Sequence, residues 1–142
     1  MYHAVESDFE KVKEIFYSHK KWFPHIRTDY MKRMIAKNNL ILDNDVVITY
    51  NFYKRKQKVG DIQAYKDDCI LHQIAAKNKG TASDVLQKFF KFVNRRVYLS
   101  VRSDNDIAKN FYLKNNMKQI GKTTWAKGTL PGDVYVYNEH TD

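Results

Sequence analysis

The 142-residue chain carries 25 Lys and Arg against 16 Asp and Glu, a formal charge of +9, with 43% hydrophobic and 14% aromatic residues. That apolar content suits one compact domain spanning 1–142 and argues against disorder, while the single cysteine, Cys69, excludes an intramolecular disulfide and a cysteine-based zinc site. The histidines (His3, His19, His25, His72 and His140) lack metal-ligand spacing. No leader and no apolar run of about 18 residues is present, so the expectation is a metal-free cytoplasmic protein without a membrane span.

The positive balance attracts polyanions: nucleic acid, anionic lipid or a phosphate-rich cofactor. It is spread over short clusters at Lys20-Lys21, Lys54-Arg55-Lys56 with Lys58, Lys77 with Lys79, and Arg95-Arg96. A solubilising surface and a binding footprint are both open readings at this point.

In chain order, Tyr2–Val5 reads as a short opening strand. Ser7-Asp8-Phe9-Glu10 has the form of a capping box, and Phe9, Val12, Ile15 and Phe16 recur at helical spacing, predicting a helix over 8–19 that ends before Pro24. Thr28 is the expected cap of a second helix whose apolar face is Tyr30, Met31, Met34 and Ile35. Residues 39–43 and 46–53 are β-branched and aromatic around Asp43-Asn44-Asp45, which predicts a hairpin. The polar, basic stretch 54–68 reads as a loop with some strand character near Ile62.

The apolar run 69–76 is the expected central strand. A helix follows, with Val85, Leu86, Phe89, Phe90 and Val93 inward, then a strand over 96–101. A further helix over 105–115 is expected to bury Ile107, Ala108 and Phe111. Strands at 117–121 and 133–138 close the chain, with Leu130-Pro131-Gly132 as a turn between them. Helices interspersed with strands predict a mixed sheet with helices packed on it, an α/β or α+β domain.

The chain has 5 glycines, and Gly80 stands between the central strand and the helix after it, followed by the small residues Thr81 and Ala82. The first N–H groups of a helix are unpaired and carry the positive end of its dipole, so this corner suits a pyrophosphate, with Lys77 and Lys79 adding charge. Neither the G-x-x-x-x-G-K-[ST] loop nor the G-x-G-x-x-G fingerprint is present.

The stretch 101–117 contains N-x-x-A-x-x-x-Y, from Asn105 through Ala108 to Tyr112, and then Asn116-Met117. This resembles the N-x-x-A-x-x-x-Y-x-x-x-G-F signature of the GCN5-related N-acetyltransferase (GNAT) superfamily. K-x-x-G-x-A, from Lys77 to Ala82, resembles that superfamily's [QR]-x-x-G-x-[GA] pyrophosphate loop. The predicted element order agrees with the GNAT order along essentially the whole chain. Lys77, Asn116 and Met117 are departures that mark a divergent member; Asn116 still accepts a left-handed cap.

The resemblance implies a GNAT-like mixed, mostly antiparallel sheet flanked by helices, with splayed central strands and acetyl-CoA as cosubstrate. It implies backbone contacts to the pantetheine arm from Gln73, Ile74 and Ala75, one N–H among them meeting the thioester oxyanion. It further implies pyrophosphate contacts from Lys79, Gly80, Thr81, Ala82 and Ser83, with Lys77 in the motif's basic position and Asn105 near the cofactor. An amine would attack the thioester directly, with Tyr112 as general acid. Within the central strand the residue able to act as base is His72; Asp67, Asp68 or water are the alternatives. Trp125, Tyr135 and Tyr137 are candidate contacts of an amine-bearing acceptor whose identity the sequence leaves open. A monomer or a homodimer is expected. Nucleic acid is a second candidate partner, because Tyr50–Lys58 interleaves aromatics with cations.

Overall fold

The computed structural model describes residues 1–19 and 26–138. Lys20-Lys21, Pro24, His25 and His140 lie outside the described residues. The described chain forms nine strands and four α-helices, and the strand order β1-β2-β3-β6-β7-β9-β8 makes a seven-stranded sheet beside a separate β4-β5 hairpin. Each pairing whose register is given is antiparallel except β6 with β7. The expected mixed, mostly antiparallel sheet flanked by helices is what forms. Two compact units divide the chain, Met1–Tyr50 with His72–Lys88, and Asn51–Leu71 with Phe89–Asp142.

In the first unit, β1 (Tyr2–His3), β2 (Leu40–Asp43) and β3 (Val46–Phe52, through Tyr50) lie beside the latter part of β6 (Cys69–Ala76). Asn44 and Asp45 both take positive φ, 48° and 59°, the two-residue turn that matches strand twist. Helices α1 (Phe9–Tyr17) and α2 (Thr28–Ala36) bury Val12, Ile15, Phe16, Met31, Met34 and Ile35 against Leu40, Leu42, Val47 and Ala75. The helix starts differ from expectation. Ser7 sits inside a 3-10 turn, Glu6–Asp8, and it is the Asp8 carboxylate that accepts the Val5 N–H at 2.8 Å. Thr28 is already helical, and Asp29 makes the local bond by accepting the Tyr30 N–H at 3.0 Å.

In the second unit, β7 (Val97–Arg102) pairs with β9 (Leu130–Tyr137), which pairs with β8 (Lys118–Trp125). The stretch expected as a loop contains a real hairpin, β4 (Gln57–Val59) and β5 (Ile62–Ala64). Three-residue strands bearing Lys and Gln give no periodic signal; Val59 and Ala64 are buried against Tyr98 and Val134 only because the chain folds back. The closing turn lies at 126–129, where Ala126, Lys127 and Gly128 take positive φ. Leu130-Pro131-Gly132 is strand instead, in register with Trp125, Thr124 and Thr123.

Helix α4 (Asp106–Lys114) is rotated from the expected face. Ile107 is 83% exposed, while Asn105, Tyr112 and Asn115 are buried. The inward side includes Lys109, whose ammonium bonds the buried Asp133 carboxylate at 3.1 Å. An inward ion pair outweighs one isoleucine, and an apolar count along the helix cannot register it. The helix α3 (Ala82–Val93) does bury Val85, Leu86, Phe89, Phe90 and Val93, as its spacing predicts.

Candidate active site

The first group of expected site residues lies on β6 and the turn that leaves it. The Cys69 N–H bonds Arg96 O at 2.8 Å, on the β7 side, whereas the Lys77 N–H bonds Asp45 O at 3.0 Å, beside β3. In a regular strand residues an even number apart point their N–H groups the same way. An irregular step therefore falls within β6. The register with β7 is Cys69↔Val97 and Ile70↔Tyr98, and among the described residues it ends there.

Gln73 keeps the orientation of Lys77. Its N–H donates to Thr49 Oγ1 at 3.1 Å, the Thr49 hydroxyl donates to Gln73 Oε1, and Tyr30 donates its phenol to the same oxygen at 2.9 Å. Thr49 is fully buried. This polar cluster was invisible in the sequence, where Thr49 and Tyr30 read as strand and helix-face residues. By alternation the N–H of Ile74 points away from β3. Ala75 is a core residue, and the Ala76 carbonyl accepts from His19 Nε2 at 2.6 Å.

Gly80 takes φ +88°, a left-handed value, and a Cβ built there meets nothing within 4 Å. The glycine is thus required by backbone conformation and leaves open space over the turn. Thr81 Oγ1 bonds Asn78 O at 3.2 Å, Ala82 begins α3, and Ser83 and Asp84 are exposed in its first turn. Lys79 is exposed. Lys77 has a partner: its ammonium bonds Glu14 of α1 at 2.7 Å, and this bond, helped by Asp45, raises its pKa.

His72 is solvent-exposed on β6, yet the protein around it disfavours charge and lowers its pKa. Of the alternative bases, Asp68 is buried, with Arg96 Nε at 3.2 Å and the Tyr65 N–H at 2.9 Å on its carboxylate. Asp67 is a turn residue with φ +72°.

The second group lies on α4. Asn105 caps the helix, its Oδ1 accepting the Ala108 N–H at 3.1 Å. Tyr112 stands two turns further along the same face and is 8% exposed. Its ring lies 5.9 Å from that of Tyr135, burial pushes its phenol pKa up, and among the described residues no partner bonds its hydroxyl. Asn116 takes φ +67°, the cap expected of it. The candidate acceptor contacts Tyr135 and Tyr137 are core residues, Tyr137 stacking on Phe90 at 3.9 Å, whereas Trp125 is 37% exposed.

Solved structures share this fold. An acetyltransferase of the GNAT family from Bacillus cereus ATCC 10987 superposes with a TM-score of 0.74 at 15% identity, covering 98% of this chain and 96% of that one. Arabidopsis thaliana NAA60 in complex with acetyl-CoA gives 0.65 at 15% identity, with 94% of each chain covered. The ribosomal-protein-S18-alanine N-acetyltransferase from Escherichia coli gives 0.64 at 12%, covering 99% and 93%. No family model and no curated protein matches the sequence. The fold is the GNAT fold, and the chain holds little sequence in common with the proteins that share it.

Proposed function

We propose that this protein is an acyl-CoA-dependent N-acyltransferase, with acetyl-CoA as the cosubstrate and an amine as the acceptor. The observation that carries the reading is the corner at Gly80. A left-handed glycine with open space above it leads directly into the N-terminus of a 12-residue helix, where the positive end of the helix dipole offers the surroundings a pyrophosphate needs. The buried Tyr112 hydroxyl, which no partner bonds among the described residues, is a second polar group without an internal purpose.

When bound, acetyl-CoA supplies a thioester that a neutral amine can attack, releasing a thiolate. Backbone N–H groups from Lys79 to Ser83 hold its pyrophosphate, and Lys79 adds positive charge; Lys77 would have to leave Glu14 to do so. Because Thr49 already takes the Gln73 N–H, the N–H of Ile74 is the one that polarises the thioester carbonyl. Tyr112 stays protonated, since burial disfavours its phenolate, and holds the proton that the departing sulfur takes. His72, neutral at pH 7, accepts the proton of the amine. Asn105 acts through its cap, setting the start of α4 and so the place of Tyr112.

Acetyl-CoA at 100 times its Kd should stabilise the fold by about 2.7 kcal/mol, read as a rise in melting temperature. Ala82→Glu should abolish that rise while leaving the unliganded protein as stable, because a carboxylate in the first turn suits the helix dipole. An unchanged melting temperature of the wild-type protein at saturating acetyl-CoA would overturn the assignment.

A further inference from the structure

We infer that the connection from β3 to β4, continued by Lys58 on β4 itself, presents a binding strip for single-stranded nucleic acid, a function separate from acyl transfer and independent of it. Residues 54–58 are all exposed and include Lys54, Arg55, Lys56 and Lys58. Among the described residues none of these four cations has an ion-pair partner. The acids of the same stretch are mostly turned to internal work. Asp68 is buried under Arg96, and Asp61 accepts the Lys122 N–H at 2.8 Å. Outward charge is therefore strongly positive, which suits a chain of phosphates.

The hairpin that follows the strip is fastened to β8. The Asp61 N–H donates to Lys122 O at 3.0 Å, which with the Asp61 carboxylate bond ties the hairpin turn to β8. A Cβ on Gly60 would stand 2.4 Å from Lys122 O, and one on Gly121 would stand 2.4 Å from Asp61 Oδ1. Two glycines thus let hairpin and strand touch, and Val59 and Ala64 anchor it in the core. The fastened hairpin fixes where the backbone of the basic run ends, which lowers the ordering cost of binding at Lys58.

Aromatic rings flank the cations. Phe52 is 44% and Tyr65 48% exposed, and the Arg96 guanidinium lies 5.6 Å from the Tyr65 ring centroid. Exposed rings beside cations favour unpaired bases, which can stack, over duplex bases, which cannot. Single strands are thus the occupant, phosphates along 54–58 and a base on Tyr65.

The test is fluorescence anisotropy of labelled oligouridylate and oligothymidylate, titrated with the full chain at several salt concentrations without acetyl-CoA. Each phosphate contact contributes about 0.7 to the salt slope for single strands. The triple variant K54Q/R55Q/K56Q should therefore lower the slope by about 2, whereas K37Q/K91Q/K114Q, on exposed sites elsewhere, should leave it nearly unchanged. Tyr65→Ala should weaken binding about tenfold with the slope retained. Equal losses in the two triple variants, equal affinity for a duplex of the same length, or binding only to phosphatidylserine vesicles would each overturn the inference. Because acetyl-CoA is absent from the assay, its outcome is separate from that of the melting experiment.

Discussion

Thr49 and Gln73 clamp each other: the threonine hydroxyl accepts the glutamine backbone N–H at 3.1 Å and donates to the oxygen of the same residue's side chain. One buried hydroxyl thereby pins both backbone and side chain of β6 beside its irregular step. Thr49→Val keeps the shape and removes both bonds, leaving a backbone donor unsatisfied. A loss of about 1–2 kcal/mol is expected in urea denaturation. The acetyl-CoA-induced melting shift should also shrink, since Gln73 precedes the Ile74 N–H proposed to meet the thioester. Thr49→Ser should restore both.

Tyr112→Phe separates chemistry from packing. The hydroxyl has no partner among the described residues, so removing it should leave stability unchanged or slightly improved. CoA release from acetyl-CoA in the presence of a primary amine should fall by about 10²–10⁴-fold if the phenol supplies the proton. A variant with full activity would remove Tyr112 from the mechanism.

Asp133 is the electrostatic anchor of the second unit. Burial by itself would push its pKa up, but bonds from Lys109, Ser103 and Lys122 outweigh that and hold it below the usual carboxylate value. A depressed carboxylate contributes stability that is present above its unfolded pKa, about 3.8–3.9, and is lost as pH falls through the lower folded value. Asp133→Asn should cost about 2 kcal/mol at pH 7. It should also flatten the acid limb of the stability curve, measured by denaturation at successive pH values.

His72 gives the opposite acid signature to that of an ion-paired histidine. Its folded pKa lies below the usual histidine value of about 6.5. The unfolded chain therefore takes up the proton first, and stability declines as pH drops below that point until the folded form is protonated as well. His72→Gln should remove this decline. If His72 is also the base, the same substitution should lower turnover at neutral pH and remove the corresponding acid limb from the rate profile.

Much of the fold was legible because it rests on local periodicity. The apolar run 69–76 became β6, and the helix after it became α3 with Val85, Leu86, Phe89, Phe90 and Val93 inward as expected, since burial demands a period of 3.6 in a helix. Gly80 was legible too, as a rare glycine at a strand-to-helix corner. The β4-β5 hairpin was not, for its three-residue strands are defined by what they fold against. The orientation of α4 was misread because Lys109 turns inward only when Asp133, distant in sequence, awaits it.

Composition, periodicity and two short motifs were enough for the class of fold and for the order of its elements apart from the β4-β5 hairpin. Long-range pairing alone decided the rest: which face α4 buries, that Thr49 consumes the Gln73 N–H, that Lys77 meets Glu14, and that the basic run leads into a hairpin fastened to β8. The reason is physical. Hydrophobic patterning acts between neighbours along the chain, whereas hydrogen bonds and ion pairs acquire partners only after folding brings distant residues within about 3 Å of one another.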